Sequence, residues 1–415
     1  MLSKASKNSS DARFALSLAL ITLLAPVATD LYLASMPEIA RQLDVPYAAV
    51  QLSLAVYLMA QGAGQIFFGP LIDRFGRRTP LLAGITVFSL SSILAGLSGS
   101  ISLLIAARCI QGLSGALLLV IGFSSVRDVA EGARAASLFS ILLTIEGLAP
   151  IFAPIAGGYL DAHFGWRSVL WASAVMGAFA FINSFISLPE SLPPNKRIML
   201  DAASIMQTYK KIATDKKFIL PTLTLSGVFF FLFAYIGGGA YLFQNIYGLS
   251  SDSFGVIFGL SGGAVMAGAI CNGRMVRTKK VCSVATIGIY IIIAGTVFAM
   301  LTSAFAGLYG IVPGFVLALF GLGIAEPALV SLAMASQTEA LGFTAALMGA
   351  LHLMLSSLST PISGFLLPLS LSAWFVFLLA SACLTLFLAI LMKKSLRKPA
   401  DGEAVLHRVT LFRAF

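Results

Sequence analysis

The sequence predicts an all-α membrane protein with twelve transmembrane helices in two six-helix bundles. Hydrophobic residues make up 58% of the 415 residues and charged residues 11%, which is too apolar for an ordinary soluble surface. Apolar runs of about 20 residues, long enough to cross about 30 Å of hydrocarbon, recur along nearly the whole chain. Because lipid offers the backbone no hydrogen-bond partner and the period-2 alternation of a barrel is absent, each run is a helix.

Taken in order, the predicted spans are 14–36, 47–70, 80–98, 101–126, 135–160, 167–188, 218–244, 253–273, 281–303, 309–333, 343–366 and 371–393. The first run is longer than the apolar core of a signal peptide and contains Asp30, which indicates a retained helix. One long connection, polar and basic, separates six spans from six. The expected organisation is an N-terminal bundle (1–188), a cytoplasmic linker (189–217), a C-terminal bundle (218–393) and a cytoplasmic tail (394–415).

The distribution of basic residues predicts the orientation. If both termini are cytoplasmic, all of the 27 Lys and Arg residues except Arg41, Arg108 and Arg167 fall on the cytoplasmic side. The net charge of +10 is therefore a topology signal, and the scattered basic residues form no footprint for nucleic acid. We expect a multi-pass protein of the bacterial cytoplasmic membrane.

The turn "GPLIDRFGRR" (69–78) resembles the loop 2/3 signature of the major facilitator superfamily, and a weaker copy, "GRMVRTKK" (273–280), follows span 8. Further motifs are similar to those of the drug:proton antiporter branch, in particular the bicyclomycin and chloramphenicol resistance group. These are "ATDLYLASMP" (28–37), in which Ala34 replaces the usual proline, "ARCIQGLSGA" (107–116), "VRD" (126–128) and "APIFAPIAGG" (149–158).

The resemblance implies a proton-driven efflux antiporter that exports small amphiphilic compounds, phenicol-type antibiotics among them, by alternating access. In the fifth helix it identifies Pro154, Gly157 and Gly158 as the antiporter motif, while Ala149 and Ala153 stand where two of that motif's glycines are expected. Two alternatives keep the fold: an exporter of an endogenous metabolite such as a siderophore, and a proton-coupled uptake symporter. A channel is a weaker alternative, because the duplicated bundles and the predicted buried ion pair are more typical of a gated carrier.

The loop 2/3 residues and the inner end of helix 4 form a candidate conformational latch. Asp73 lies just beyond the predicted span 2, so we expect it to pair with Arg127 or to accept from a helix N-terminus. The alternative is a topology anchor alone. The predicted latch residues are Gly69, Asp73, Arg74, Gly76, Arg77, Arg127 and Asp128.

Three charged residues within the spans are the candidate proton-coupling residues: Asp30, Arg108 and Glu146. Asp30 and Arg108 lie at similar depths, and a lone charge there costs several kcal/mol, so we expect them to pair beside an internal cavity. Such a pair exchanges a proton or is purely structural. Glu146, near the midplane of helix 5, either binds a cationic group or a proton, or is a protonated side chain hydrogen-bonded to a neighbouring helix.

The candidate substrate-binding residues are Asp30, Tyr32, Tyr57, Gln61, Glu146, Phe231, Tyr235 and His352. Tyr57, Gln61 and Gln65 share one helix face, which we expect to line the cavity. Glu326, next to Pro327, is either a polar site in the second bundle or a side chain that reaches toward water. His352 either titrates near neutral pH or is a neutral histidine bonded to Ser or Thr.

No cofactor or metal is predicted, because the chain lacks a phosphate-binding G-x-x-x-x-G-K-[ST] loop and a paired cysteine spacing. Three dispersed histidines also argue against a membrane enzyme. The expected partners are the amphiphilic substrate, protons and the lipid bilayer, and we expect a monomer.

Overall fold

The computed structural model describes residues 14–197, 201–337 and 340–397 and confirms the predicted fold class. In these ranges eleven helices are long and apolar enough to cross a membrane, and a bent pair at the start supplies a twelfth. No strand occurs in the same ranges. The first-half spans are α1 (Phe14–Thr22 with Leu24–Gln42), α2 (Tyr47–Phe75), α3 (Arg78–Gly96), α4 (Ile101–Val129), α5 (Gly132–Phe164) and α6 (Trp166–Ser187).

The second half repeats the six-span pattern. Its helices are α7 (Lys216–Ala240, continued by the π-helical Tyr241–Ile246), α8 (Ser251–Met275), α9 (Val281–Ala306), α10 (Leu308–Met334), α11 (Leu341–Ser357 with Ser359–Leu369) and α12 (Leu371–Arg397). The predicted N-terminal basic segment and most of the predicted tail lie outside the described residues.

The loop between α2 and α3, which carries the motif "GPLIDRFGRR", is shorter than predicted. Helix α2 continues to Phe75, so Asp73 and Arg74 lie in its last turn and not beyond it. Gly76 then ends the helix with a φ of 87°, a left-handed conformation that suits glycine because it lacks a β-carbon.

An amphipathic helix, Ala202–Thr214, lies in the connection between the halves; we call it the linker helix. Its Tyr209 hydroxyl donates to the backbone carbonyl of Ile66 in α2 over 3.0 Å. The same ring packs edge-on against Phe343 of α11, with 5.2 Å between ring centroids. The linker helix therefore contacts both bundles at the end of the molecule that carries Arg77 and Arg127, which we call the basic end.

At the opposite end, direct hydrogen bonds join the two bundles. The Tyr47 hydroxyl and the Gln51 amide of α2 both donate to the carbonyl of Gly237 in α7, over 2.9 and 2.8 Å. The Gln244 amide of the second half donates to the carbonyl of Ala34 over 2.8 Å. We call these contacts the opposite-end seal.

Candidate functional site

A cavity of about 270 Å³ lies between the two bundles, with α1, α2 and α5 on one side and α7, α8, α10 and α11 on the other. We call it the central cavity. Most of its lining side chains are apolar, and prolines 26, 150 and 154 contribute to its wall. A second space of about 570 Å³, the vestibule, lies at the basic end and is lined by Asp73, Arg127, Tyr209 and His352 among others.

Two carboxyl groups line the central cavity, one from each bundle. Asp30 comes from α1, where the helix passes into a tighter turn at Leu33–Ser35, and Glu326 comes from α10. Neither carboxyl has a hydrogen-bond or ion-pair partner among the described residues. Of the two alternatives for Glu326, the structure favours the polar site in the second bundle. The adjacent Pro327 is the sequence signal that pointed to it.

The predicted ion pair between Asp30 and Arg108 is wrong for this conformation. The fully buried guanidinium of Arg108 lies between the rings of Tyr32 and Tyr57, at 4.5 and 4.0 Å from their centroids. Its Nη1 donates to Gln111 Oε1 over 2.6 Å and to the carbonyl of Ala28 over 3.3 Å. The negative ring faces supply the electrostatic partner that was expected from a carboxylate.

The predicted substrate-binding residues separate into two groups. Gln61 and Tyr235 line the central cavity together with Asp30. Tyr32 bonds to Ser53, Tyr57 donates to a backbone carbonyl of α1, and Phe231 is buried in the hydrophobic core. These three side chains are not part of the cavity wall. The predicted stripe of α2 is therefore divided: Tyr57 faces the interior of its own bundle, Gln61 the central cavity and Gln65 the vestibule.

His352 lies at the boundary between the two spaces. It lines the vestibule, and its ring contacts Phe229 of the central cavity with 4.6 Å between centroids. Its Nδ1 is 3.0 Å from the carbonyl of Met348, so the ring bonds to the backbone and not to the Ser or Thr side chain of one of the two alternatives. The pair of rings is well placed to divide the vestibule from the central cavity.

Glu146 lies on α5 away from both spaces. Its carboxyl contacts Thr22 of α1, and one of its oxygens is buried without a hydrogen-bond partner. On the same helix, Pro150 and Pro154 line the central cavity instead. The depth of Glu146 could be predicted from the sequence, but the direction of its side chain could not.

The predicted antiporter motif packs α5 closely against two other helices. A β-carbon on Gly157 would overlap the carbonyl of Leu31 in α1, and one on Gly158 would overlap the carbonyl of Ser251 at the start of α8. Pro154 lines the central cavity and places its own carbonyl against Gly255. The two glycines therefore permit a close contact that includes the bundle interface.

Arg77 is the centre of an ion-pair cluster at the basic end. It pairs with Asp73 over 2.8 Å and with Asp128 over 2.9 Å. The predicted Asp73–Arg127 pair is wrong, because Asp73, in the last turn of α2, pairs instead with Arg77 just after Gly76. Arg127 donates instead to Ser124 over 3.1 Å.

The other predicted latch residues have weaker contacts. Gly69 is on the vestibule wall with open space around it, and the Arg74 guanidinium lies 5.2 Å from the ring centroid of Phe75. Gly76 supplies the left-handed turn described above.

Glu190, just after α6, is a member of the cluster that was not predicted from the sequence. Its carboxylate accepts from the backbone amides of Arg77 over 2.8 Å and Arg78 over 3.3 Å, at the N-terminus of α3. Although burial opposes it, hydrogen bonds from these amides and that of Leu192 lower the pKa of Glu190. The segment "LPES" therefore anchors the start of the linker to loop 2/3, and its acidic residue beside a helix start is the signal that could have revealed this.

Residues 18–361 match the family model described as Major Facilitator Superfamily. The chain belongs to this superfamily. It is 33% identical over 352 residues to the uncharacterized MFS-type transporter YdgK of Bacillus subtilis (strain 168), covering 84% of this chain and 87% of that protein. The match to the bicyclomycin resistance protein homolog of Haemophilus influenzae is 29% over 263 residues, or 63% of this chain and 66% of that protein.

The chain is also similar to the multidrug resistance protein MdtL of Escherichia coli O9:H4. The two are 27% identical over 61% of this chain and 64% of that protein. Among solved structures, a POT family transporter in complex with 5-aminolevulinic acid has a TM-score of 0.74 at 13% identity, covering 92% of this chain and 96% of that one. The human organic anion transporter MFSD10 has a TM-score of 0.66 at 17% identity, covering 91% and 99%. These structures show the fold alone.

The two halves of the superfamily fold differ at the basic end. Loop 2/3 is held by the Arg77 cluster, whereas Arg274 and Arg277 of the corresponding loop 8/9 form no ion pair within the described ranges. The sequence difference explains this, because Arg277 stands where an acidic residue would correspond to Asp73. Among the residues that the structure describes, the charged cluster of loop 2/3 therefore has no counterpart in loop 8/9.

Proposed function

We propose that this transporter is a proton-driven antiporter that exports small amphiphilic compounds by alternating access. The observation that carries the proposal is the central cavity, an apolar space between the bundles into which each bundle contributes an unpaired carboxyl. An apolar wall with few polar groups suits an amphiphilic ligand. A carboxyl without a counter-ion in such a space is suited to take up and release a proton.

The distribution of Lys and Arg supports an orientation in which the basic end faces the cytoplasm of a bacterial cell. In this orientation the vestibule is the cytoplasmic approach to the central cavity, and the opposite-end seal closes the outer side. The two bundles, 1–188 and 218–393, would move about the central cavity as units, with 189–217 as the connection. The Arg77 cluster would hold loop 2/3 to α4 in one of the two states.

Asp30 is the proposed proton-coupling residue. In the present conformation Arg108 is held by two tyrosine rings, so its charge is not committed to Asp30. Movement of the second bundle away from Asp30 would change the access of water to its carboxyl and thereby its affinity for a proton. Gln61 and Tyr235 are the proposed polar contacts for substrate, while Glu146 and His352 act at most from outside the central cavity.

Similarity to a bicyclomycin resistance protein homolog and to the multidrug resistance protein MdtL supports drugs as the substrate class. Phenicol-type antibiotics are the first compounds to test. The alternatives retained from the sequence, a metabolite exporter and an uptake symporter, differ in substrate and in the direction of proton movement.

The test uses everted membrane vesicles acidified inside by respiration. Addition of a substrate should release protons from the wild-type vesicles, and Asp30→Asn should abolish this release. The matched control is Asp44→Asn: Asp44 is exposed at the opposite end, and its φ of 50° is one that asparagine tolerates. Full proton release by Asp30→Asn, with normal expression, would contradict the proposed role of Asp30, and proton entry with substrate would indicate symport.

A further inference from the structure

We infer that the central cavity binds an amphiphilic organic cation, an ammonium compound with an apolar or aromatic group, and that Glu326 is its counter-ion. This inference rests on the proposed function and specifies the substrate class of the same cavity. Glu326 lies on the face of α10 that lines the cavity. Leu319, Leu322 and Glu326 are spaced as neighbours on one helix face, and all three line the central cavity.

Glu326 lies eight residues, about 12 Å, from the end of α10 at Met334. Because its helix face is the one that lines the cavity, its carboxyl is directed into that space and not along the surface toward water. Pro327 follows it directly and removes one backbone N–H from the helix.

No described residue of the cavity lining carries a fixed positive charge. Its described lining includes no Lys, Arg or His, and the buried Arg108 of the first bundle is held by Tyr32 and Tyr57. An unpaired carboxylate in an apolar space carries a large desolvation penalty. Neutralisation of Glu326 by a proton or by an organic cation that enters the cavity removes this penalty.

The aromatic part of the wall matches the rest of such a ligand. Tyr235 stacks on Phe258 with 5.1 Å between centroids, and both rings line the cavity together with Phe229 and Phe233. Aromatic faces attract a cation within about 6 Å and also cover an apolar group. A volume of about 270 Å³ accommodates a ring with a small substituted ammonium group.

The two cavity carboxyls lie in different bundles, and this separation links cation binding to proton exchange. Asp30 belongs to the first bundle and Glu326 to the second, so each bundle carries one negative group that either a proton or a cation can neutralise. A cation paired with Glu326 would leave Asp30 available to bind a proton. This arrangement gives the two carboxyls different tasks in one space.

The test is equilibrium binding to the full chain in lipid nanodiscs, with two isosteric probes that differ in one charge. The probes are 3-(trimethylammonio)phenol and its neutral carbon isostere, 3-tert-butylphenol. The wild-type protein should bind the cation at least tenfold more tightly than the neutral isostere. Glu326→Gln should remove this preference while the affinity for the neutral probe changes less than twofold. Glu131→Gln, the same substitution at an exposed residue before α5, is the matched control and should behave as wild type.

Equal affinities of the wild-type protein for the two probes would overturn the inference, and so would an unchanged preference in Glu326→Gln. If Glu326→Gln does not fold, the wild-type comparison and the charge-retaining Glu326→Asp, which should keep the preference, still decide the question. Proton release by a neutral phenicol in the everted vesicles would persist if only this inference fails. Loss of that release by every compound tested would instead count against the proposed function.

Discussion

The buried Arg108 provides a quantitative prediction, because two tyrosine rings enclose its guanidinium. Tyr57→Leu removes one ring face at 4.0 Å and one hydrogen bond from the Tyr57 hydroxyl to the carbonyl of Ala25, which is 2.8 Å long. A desolvated cation–π contact contributes about 2 kcal/mol and a neutral hydrogen bond about 1 kcal/mol. The free energy of unfolding should therefore fall by about 3 kcal/mol in Tyr57→Leu and by about 1 kcal/mol in Tyr57→Phe, which keeps the ring.

A double-mutant cycle isolates the ring contact from other consequences of the substitution. The free energy of unfolding is measured by steric trapping in bicelles for Tyr57→Leu, Arg108→Met and the double variant. The coupling energy between the two residues should be about 2 kcal/mol. Tyr290→Leu, at an exposed tyrosine of α9, is the control and should show no coupling to Arg108. A Tyr57–Arg108 coupling energy below about 0.5 kcal/mol, or equal effects of Tyr57→Leu and Tyr57→Phe, would refute the view that the ring faces stabilise the cation.

Three further substitutions test other contacts. Gly158→Ala places a methyl group against the carbonyl of Ser251, so transport in everted vesicles should fall at least tenfold. The control Gly263→Ala places its methyl group in open space and should retain transport. Equal activities of the two variants would contradict the close α5–α8 contact. Glu190 has a lowered pKa, so its stabilising contribution is complete above its ordinary pKa of 4.5 and is lost as the pH falls below that value. Glu190→Gln should therefore flatten the acid-induced loss of thermal stability in that range. An unchanged pH profile would contradict this role of Glu190. Tyr209→Phe removes one hydrogen bond between the linker helix and α2 that is present with the opposite end sealed. The ratio of this conformation to the alternative one, measured from spin-label distances, should therefore fall about fivefold; identical distance distributions would exclude that role.

The sequence was sufficient for the fold because lipid restricts the backbone so strongly. Runs such as 101–126 and 281–303 are helical whatever they contact, so the span count and the two-bundle fold did not depend on tertiary detail. Helix ends were less predictable. The polar residues of "GPLIDRFGRR" suggested a loop after residue 70, but the cluster around Arg77 stabilises one more helical turn, to Phe75.

The sequence predicted how deep the candidate site residues lie in the membrane but not where their side chains point. Counting residues placed Asp30 and Arg108 at similar depths, yet it could not show that Tyr32 and Tyr57 would enclose the guanidinium. The same limitation applies to Glu146 and Glu326. Both were recognised as membrane carboxyls, but the rotation of each helix decides which one lines the central cavity, and that rotation follows from contacts between helices distant in sequence.

Both acceptors in the opposite-end seal are main-chain oxygens, those of Gly237 and Ala34. No amino-acid replacement at these two positions deletes the oxygen itself, so half of each contact is protected from mutation. The wall of the central cavity, by contrast, is made of side chains that can be exchanged one at a time. Descendants of this chain could thus acquire new substrate preferences while the closure at the opposite end stays intact.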